Sequence, residues 1–298
     1  MRATGIFPHF VRSARKPRPH LYWKKVQETG VLWLRVAAVL YSLGLAHAIL
    51  VITGRRGGLF RAAMLAFYTG VVLQIVSVVE ASVALGHLPV NNFFETSSLC
   101  ALIIGISFLV VYQQYHFSGL SVFIFPVVFL LTLIGSMETP VASWPNTRLR
   151  DAWLFLHVVL ILLGYAGLLL TAVGSVFYLI QERQLKRKTR SSLFDRLPPL
   201  ATLDSLITNS MSFGFIFITA GVIAAMTWAF IETGSRWIAY PRIGLALLTW
   251  LVYLVMVFLR ATAGWRGRKA AVMAIAVLCC SLMTWAAHVG LRSLIERR

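Results

Sequence analysis

About eight apolar runs, each long enough to cross a lipid bilayer, take up most of this chain: residues 31–53, 60–86, 94–114, 119–137, 152–181, 207–231, 243–260 and 270–291. A helix needs about 20 apolar residues to span the hydrocarbon. There, every backbone N–H and C=O must be satisfied within the spanning structure, which leaves only helices or a closed barrel. A barrel reads as short alternating segments between turns, and these runs are long and continuous. The expected fold class is therefore all-α: a polytopic integral membrane bundle of about eight transmembrane helices, with the lipid bilayer as its first partner. What remains is too short for a soluble domain of ordinary size. The expected organisation is a basic, poorly ordered N-terminal tail over 1–30, a transmembrane domain over 31–292 and a short basic tail over 293–298.

The formal net charge is +18, although charged residues make up only 13% of the chain. In a soluble protein that excess would suggest nucleic acid. Here the basic residues gather in connecting segments and the tail, so topology and anionic lipid explain them and no nucleic-acid partner is expected. Segments 55–61, 182–206 and 261–269 are rich in Arg and Lys, from Arg55 and Arg56 through Arg183, Lys186 and Arg187 to Arg268 and Lys269. Segments 87–93, 138–151 and 232–242 hold only Arg148, Arg150, Arg236 and Arg242. The positive-inside rule places the first set in the cytoplasm and the second set, with both termini, outside. The basic tail runs against that placement; three concordant internal segments outweigh it. No short apolar core with a cleavage site follows the tail, so it is not read as an ordinary signal peptide. Cys100, Cys279 and Cys280 all lie within apolar runs, and no Cys-x-x-Cys pair exists for redox chemistry or covalent haem attachment.

A small set of polar and aromatic residues falls near the outer ends of the spans. His157 lies six residues beyond Asp151, about 9 Å along a helix. An ionisable or metal-binding side chain inside a span is costly and is a functional candidate by default. Two readings stand: an axial ligand to haem iron through a neutral imidazole nitrogen, or a histidine hydrogen-bonded to a neighbouring helix. Gly164, Gly167, Thr171 and Gly174 follow at 3-4-3 spacing, a close helix-packing stripe that puts this span at the centre of the bundle. His288, near the outer end of the last run, is the second-ligand candidate, or else an interfacial histidine. His47 lies at the cytoplasmic end of the first run and reads as packed or snorkelling; His116 falls in a cytoplasmic connection. Glu80 could orient a ligand histidine, pair with an outer arginine or be protonated. Glu95 reads as a first-turn acid at a helix N-terminus.

Tryptophans collect at membrane interfaces regardless of function, and that accounts for part of the set Trp144, Trp153, Trp228, Trp237, Tyr240 and Trp250. The segment 232–242 departs from a plain anchor: Gly234, Ser235, Trp237 and Pro241 stand there with few aliphatics. With Trp228 beside it, such a surface could cover a flat apolar ligand at the membrane edge. No phosphate loop, dinucleotide glycine motif, HExxH or nucleophile elbow is present. With ten acids in all and no inverted repeat, a proton-coupled transporter is a poor fit.

Four stretches resemble the cytochrome c assembly family, and especially its short HemX-like branch: HLPVNNFFETSSLC and the helix pair after it, LFLHVVLILLGYAGLLLTAVGSVFYLIQERQLK, TGSRWIAYPRIGLALLTWLVY and GWRGRKAAVMAIAVL. The resemblance covers nearly all of 31–292 and implies a multi-pass protein of a bacterial inner membrane. It implies no enzyme, at most a haem-delivery component of a cytochrome c synthase complex. By the resemblance, His157 falls on the family's first outer haem-ligand histidine, and Gly234, Ser235, Trp237 and Pro241 fall on its tryptophan-rich loop. Thr233, Ala239 and Tyr240 replace two tryptophans and an aspartate of that loop, and Phe258 replaces a membrane-embedded histidine. The second outer histidine would fall near Glu296, and His288 lies about two turns before it. The implied ligand is haem b, held non-covalently, stably or in transit, with a cytochrome c maturation subunit as partner. The alternative implied by the HemX-like branch is a regulator that binds a haem-biosynthesis enzyme such as glutamyl-tRNA reductase.

Overall fold

The computed structural model describes residues 19–52, 59–86, 88–90, 92–137, 148–187, 198–233, 241–265 and 267–296. Within the helices, side chains are described except at 19–27, 52, 148–149, 151, 232–233, 241–242 and 284–296. Eight α-helices and one 3-10 turn make up the described residues, and no strand occurs among them. The helices are α1 (Pro19–Ile52), α2 (Phe60–Leu85), α3 (Phe93–Tyr115), α4 (Ser121–Gly135), α5 (Arg148–Arg187), α6 (Leu200–Thr233), α7 (Pro241–Thr262) and α8 (Arg268–Glu296). The 3-10 turn at Ser118–Leu120 leads into α4. Seven segments are long and apolar enough to cross a membrane among the described residues. α8 covers the eighth expected run, and its side chains are described only as far as Met283. The chain is an all-helical, multi-pass integral membrane protein.

The helices outrun the apolar segments that mark them. α1 is helical from Pro19, inside the expected tail; proline suits a first helical position because its missing N–H would have no partner there. α5 has 40 residues and α6 has 34, about 60 and 51 Å at 1.5 Å per residue, against about 30 Å of hydrocarbon. The connection expected over 182–206 is thus helical through Arg187 and again from Leu200. Strong helix formers carry α5 into water, with Glu182 accepting from Lys186 Nζ at 2.6 Å across one turn. α6 starts where the Pro199 carbonyl accepts from the backbone N–H groups of Thr202 and Leu203. α8 likewise continues to Glu296, past the expected domain end at 292.

Two cores result. The first joins α1 to α4 with one face of α5, through Tyr41, Phe67, Phe108, Phe125, Leu162, Leu170 and Phe177. The second joins α5 to α8, through Leu168, Met211, Ile218, Tyr253, Met256 and Ala274. α5 contributes to both and also contacts α3, α6 and α8, the central place that its small-residue stripe predicts. A Cβ on Gly167 would lie 2.7 Å from the Gly214 Cα, and one on Gly164 would lie 2.9 Å from the Ile218 backbone N. α5 and α6 therefore meet backbone against backbone.

Polar side chains inside the bundle bond across helices. Gln74 of α2 is fully buried; its carbonyl accepts from Tyr41 Oη of α1 at 2.9 Å. Its amide donates to the Ser98 carbonyl of α3 at 2.9 Å and to Thr132 Oγ1 of α4 at 3.4 Å. One side chain so ties four helices. Ser77 Oγ adds a bond to the Gly30 carbonyl at 2.7 Å. At the opposite, charge-rich end of α7, Arg260 is buried and donates to Asp204 Oδ1 at 2.8 Å, to the Asp204 carbonyl at 3.1 Å and to Thr208 Oγ1. Hydrogen bonds between membrane helices average about 0.6 kcal/mol each, so Gln74→Leu should cost about 2 kcal/mol and Ser77→Ala about 0.6. Unfolding of the purified protein by SDS titration measures both. Curves identical to the parent's would show that the Gln74 network does not brace the four helices.

Candidate functional site

The site is built at the charge-poor end of the α5–α6 pair. On α5, Trp153 and His157 stand four residues apart and so one above the other on one face. On α6, the carbonyls of Ala224 and Gly221 lie nearly one turn apart. Trp153 Nε1 donates to the Ala224 carbonyl at 2.8 Å. His157 Nδ1 bonds the Gly221 carbonyl at 2.8 Å. A carbonyl oxygen only accepts, so Nδ1 carries the proton and donates, and the neutral ring keeps its lone pair on Nε2. Nε2 makes no hydrogen bond to any described residue. The Trp228 ring closes the group: its centroid lies 6.2 Å from that of Trp153, with the planes tilted by 32°.

Glycine at 221 favours this contact. A Cβ there would lie 2.7 Å from Ile161 Cδ1 and 3.3 Å from the Ile161 backbone N, one turn past His157. With hydrogen in its place, α6 comes close enough for its carbonyl to reach the imidazole.

Both readings of His157 from the sequence bear on this geometry. The hydrogen bond to a neighbouring helix is observed, and it leaves the other nitrogen with the lone pair a metal ligand uses. Among the described residues no three His, Cys, Asp or Glu side chains come together to hold a bare metal ion. His157 is half-buried and stands one turn from Trp153 on α5.

Trp228 is placed in this group. Trp237, Gly234 and Ser235 lie outside the described residues, as does Trp144. Pro241 is the first residue of α7 and His288 lies on α8; the side chains of both are outside the described residues. Glu80 accepts from Trp33 Nε1 of α1 at 3.3 Å, so its partner is an indole rather than a histidine or an arginine. The Glu95 backbone N–H donates to the Asn92 side chain at 2.7 Å, which makes Asn92 the cap of α3 and puts Glu95 in its first turn. His47 is buried and packs between the rings of Phe60 and Phe125, the packed alternative rather than the snorkelling one. His116 ends α3 with a positive φ of 50°. Trp250 stacks on Phe215 and donates to Thr219 Oγ1 at 3.0 Å, a packing role between α6 and α7. Sequence reasoning missed Gly221 and the bond from Trp153. The spacing of four between Trp153 and His157, and of seven between Gly214 and Gly221, are the signals that could have found them.

A polytopic helical bundle, with an imidazole bonded across its central helix pair, defines a multi-pass membrane protein. The chain belongs to the cytochrome C assembly protein family, whose pattern matches residues 90–294. It is similar to a cytochrome c biogenesis protein CcsA of Prochlorococcus marinus, at 26% identity over 255 residues, covering 74% of this chain and 80% of that one. It is also similar to a CcsA of Heterosigma akashiwo, at 29% identity over 60% of this chain and 69% of that one. CcsA of Chlamydomonas reinhardtii is 28% identical over 71% of this chain and 60% of its own length. No solved structure matches the chain.

Overpacking of a close contact costs about 1–3 kcal/mol, so Gly221→Ala should lower thermal stability in detergent. Gly244→Ala is the control, because a Cβ there meets nothing within 4 Å. Equal melting of the two variants would mean that α6 can move away from Ile161 at no cost.

Proposed function

We propose that this chain is a haem-handling component of cytochrome c assembly in a bacterial cytoplasmic membrane, working at the outer face. The observation that carries the reading is the hydrogen bond from His157 Nδ1 to the Gly221 carbonyl, which presents Nε2 as a ligand. His157 would bind haem iron, with His288 of α8 as the second axial candidate. Trp228, and Trp237 with Gly234, Ser235 and Pro241, would cover the porphyrin face. Haem would supply an iron that takes an imidazole ligand and a broad apolar ring. The work of the chain would be binding and orientation: His157 would hold the iron, the indoles would exclude water from the ring, and a maturation subunit would take the haem onward. Haem b, held without a covalent bond, fits a chain with no Cys-x-x-Cys pair. Relatives named as cytochrome c biogenesis proteins favour this role over control of a haem-biosynthesis enzyme.

Haem added to the detergent-purified protein should give a Soret band of an imidazole-ligated iron. His157→Ala should weaken binding at least about tenfold, since even losing a partner that only orients a ligand costs that much, and added imidazole should restore the band. His116→Asn, which keeps a residue tolerant of positive φ, should leave it unchanged. Equal affinity in the parent and His157→Ala would remove His157 from haem binding.

The outer-face assignment has its own test, from the arginine and lysine asymmetry. A reporter fused within 188–197 should be active on the cytoplasmic side, and one within 234–240 on the outer side. A cytoplasmic signal from 234–240 would place the site on the other face of the membrane.

A further inference from the structure

We propose that Trp153 is a positioning residue for His157: through α6, it sets which imidazole nitrogen faces the Gly221 carbonyl. The functional meaning of this rests on the haem reading above; the geometry does not.

The argument starts from the glycine contact. From Gly164 to Gly174, α5 faces α6 with small residues, and a Cβ on Gly167 would come within 2.9 Å of the Ser210 carbonyl oxygen. Ile218 of α6 seats on Gly164 and Ile161 of α5 seats on Gly221, which holds the two helices in broad register. Directional bonds refine the axial position toward the charge-poor end. Two of them stand there as successive rungs of an antiparallel pair, Trp153 to Ala224 and His157 to Gly221, each 2.8 Å long.

The two rungs are not equivalent. An indole has one N–H and no acceptor, so the Trp153 rung can be made in one way only. An imidazole has two nitrogens and two neutral tautomers, and a small axial shift of α6 would let either nitrogen meet a carbonyl. The Trp153 indole is also packed against Trp228 of the same α6, with centroids 6.2 Å apart. The invariant rung therefore fixes the axial position of α6, and the adaptable rung follows one turn away. Without Trp153 Nε1, the Gly221 carbonyl is free to drift along α5, and His157 can turn Nε2 toward it and lose its free lone pair.

The test reads the tautomer directly, in the full chain without haem. Nitrogen-15 NMR of histidine-labelled protein in micelles separates protonated from unprotonated ring nitrogens, and His157→Gln identifies the signals of His157. The parent should show Nδ1 protonated and Nε2 unprotonated as a single species. Trp153→Phe, which keeps a ring and removes the donor, should give a mixture with Nε2 protonated. Trp250→Phe removes a different indole bond to α6 and should leave His157 a single species. If Trp153→Phe fails to accumulate, benzothienylalanine at 153 keeps the indole shape with sulfur in place of N–H. A single Nδ1-protonated species in the Trp153 variant overturns the proposal, and so does an equal mixture in Trp250→Phe, which would indicate general loosening. In the haem titration, Trp153→Phe should lose about tenfold in affinity, the lower end of the range for partners that orient a ligand. A parent that binds no haem would sink the haem reading, while the tautomer result would still decide on Trp153.

Discussion

α5 and α6 meet backbone to backbone at Gly164, Gly167 and Gly214, and the rest of the arrangement depends on that approach. It turns α5 so that Leu162, Ala166, Leu170, Val173 and Phe177 face the first core while Leu168 faces the second. It also makes room for α7: Tyr253 Oη donates to the Met211 carbonyl at 2.8 Å, and a Cβ on Gly214 would lie 2.6 Å from that same hydroxyl oxygen. A side chain at 214 would thus press on two helices at once. Continued toward the charge-poor end, the approach carries α6 within hydrogen-bond reach of Trp153 and His157. The site is the end of a packing interface: the run of glycines brings α6 close, and the bonds of Trp153 and His157 lie beyond it.

The two halves of the bundle are held by different means. In the first, Gln74 joins α1, α2, α3 and α4 from the membrane interior, and Phe67 stacks on Phe125 with centroids 4.6 Å apart. Lipid tails are as apolar as leucine, so burial of apolar surface gives little preference for helix over lipid there; packing and polar bonds must supply it. In the second half, Arg260 is 8% exposed and grips the start of α6 through Asp204 and Thr208. An arginine this buried needs its carboxylate, which Asp204 supplies. One half is locked at its middle and the other is clamped at its charge-rich end, while toward the opposite end of α5 and α6 the bonds of Trp153 and His157 join the pair.

Much of the fold was legible because the bilayer asks the same thing of every span. The apolar runs, the small-residue stripe and the central place of the fifth helix follow from hydrocarbon thickness and close packing, and the structure carries all three. The helix ends were not legible from hydropathy. α1 starts at Pro19, α5 reaches Arg187 and α6 begins at Leu200, because helical hydrogen bonding continues into water wherever the residues permit it. At the site, His157 stood out as a costly residue in a span. Its acceptor did not, since a backbone carbonyl exists at every position and has no signature; only the small residue at 221 marks where a neighbouring helix can come close. Glu80 shows the same limit: a histidine or an arginine suited its charge, and the partner present is the indole of Trp33.

One property of the site bears on the proposed role. A carrier of cargo must bind and also release, and those demands conflict when every ligand comes from one rigid element. His157 is held by a hydrogen bond across a helix pair, and its partner oxygen belongs to α6. His288, the other candidate, lies on α8, which packs against α5. On the proposed reading, the two axial donors would come from separate helices joined by α5. A shift of α8 or of α6 relative to α5 would then weaken one side of the iron without unfolding the other.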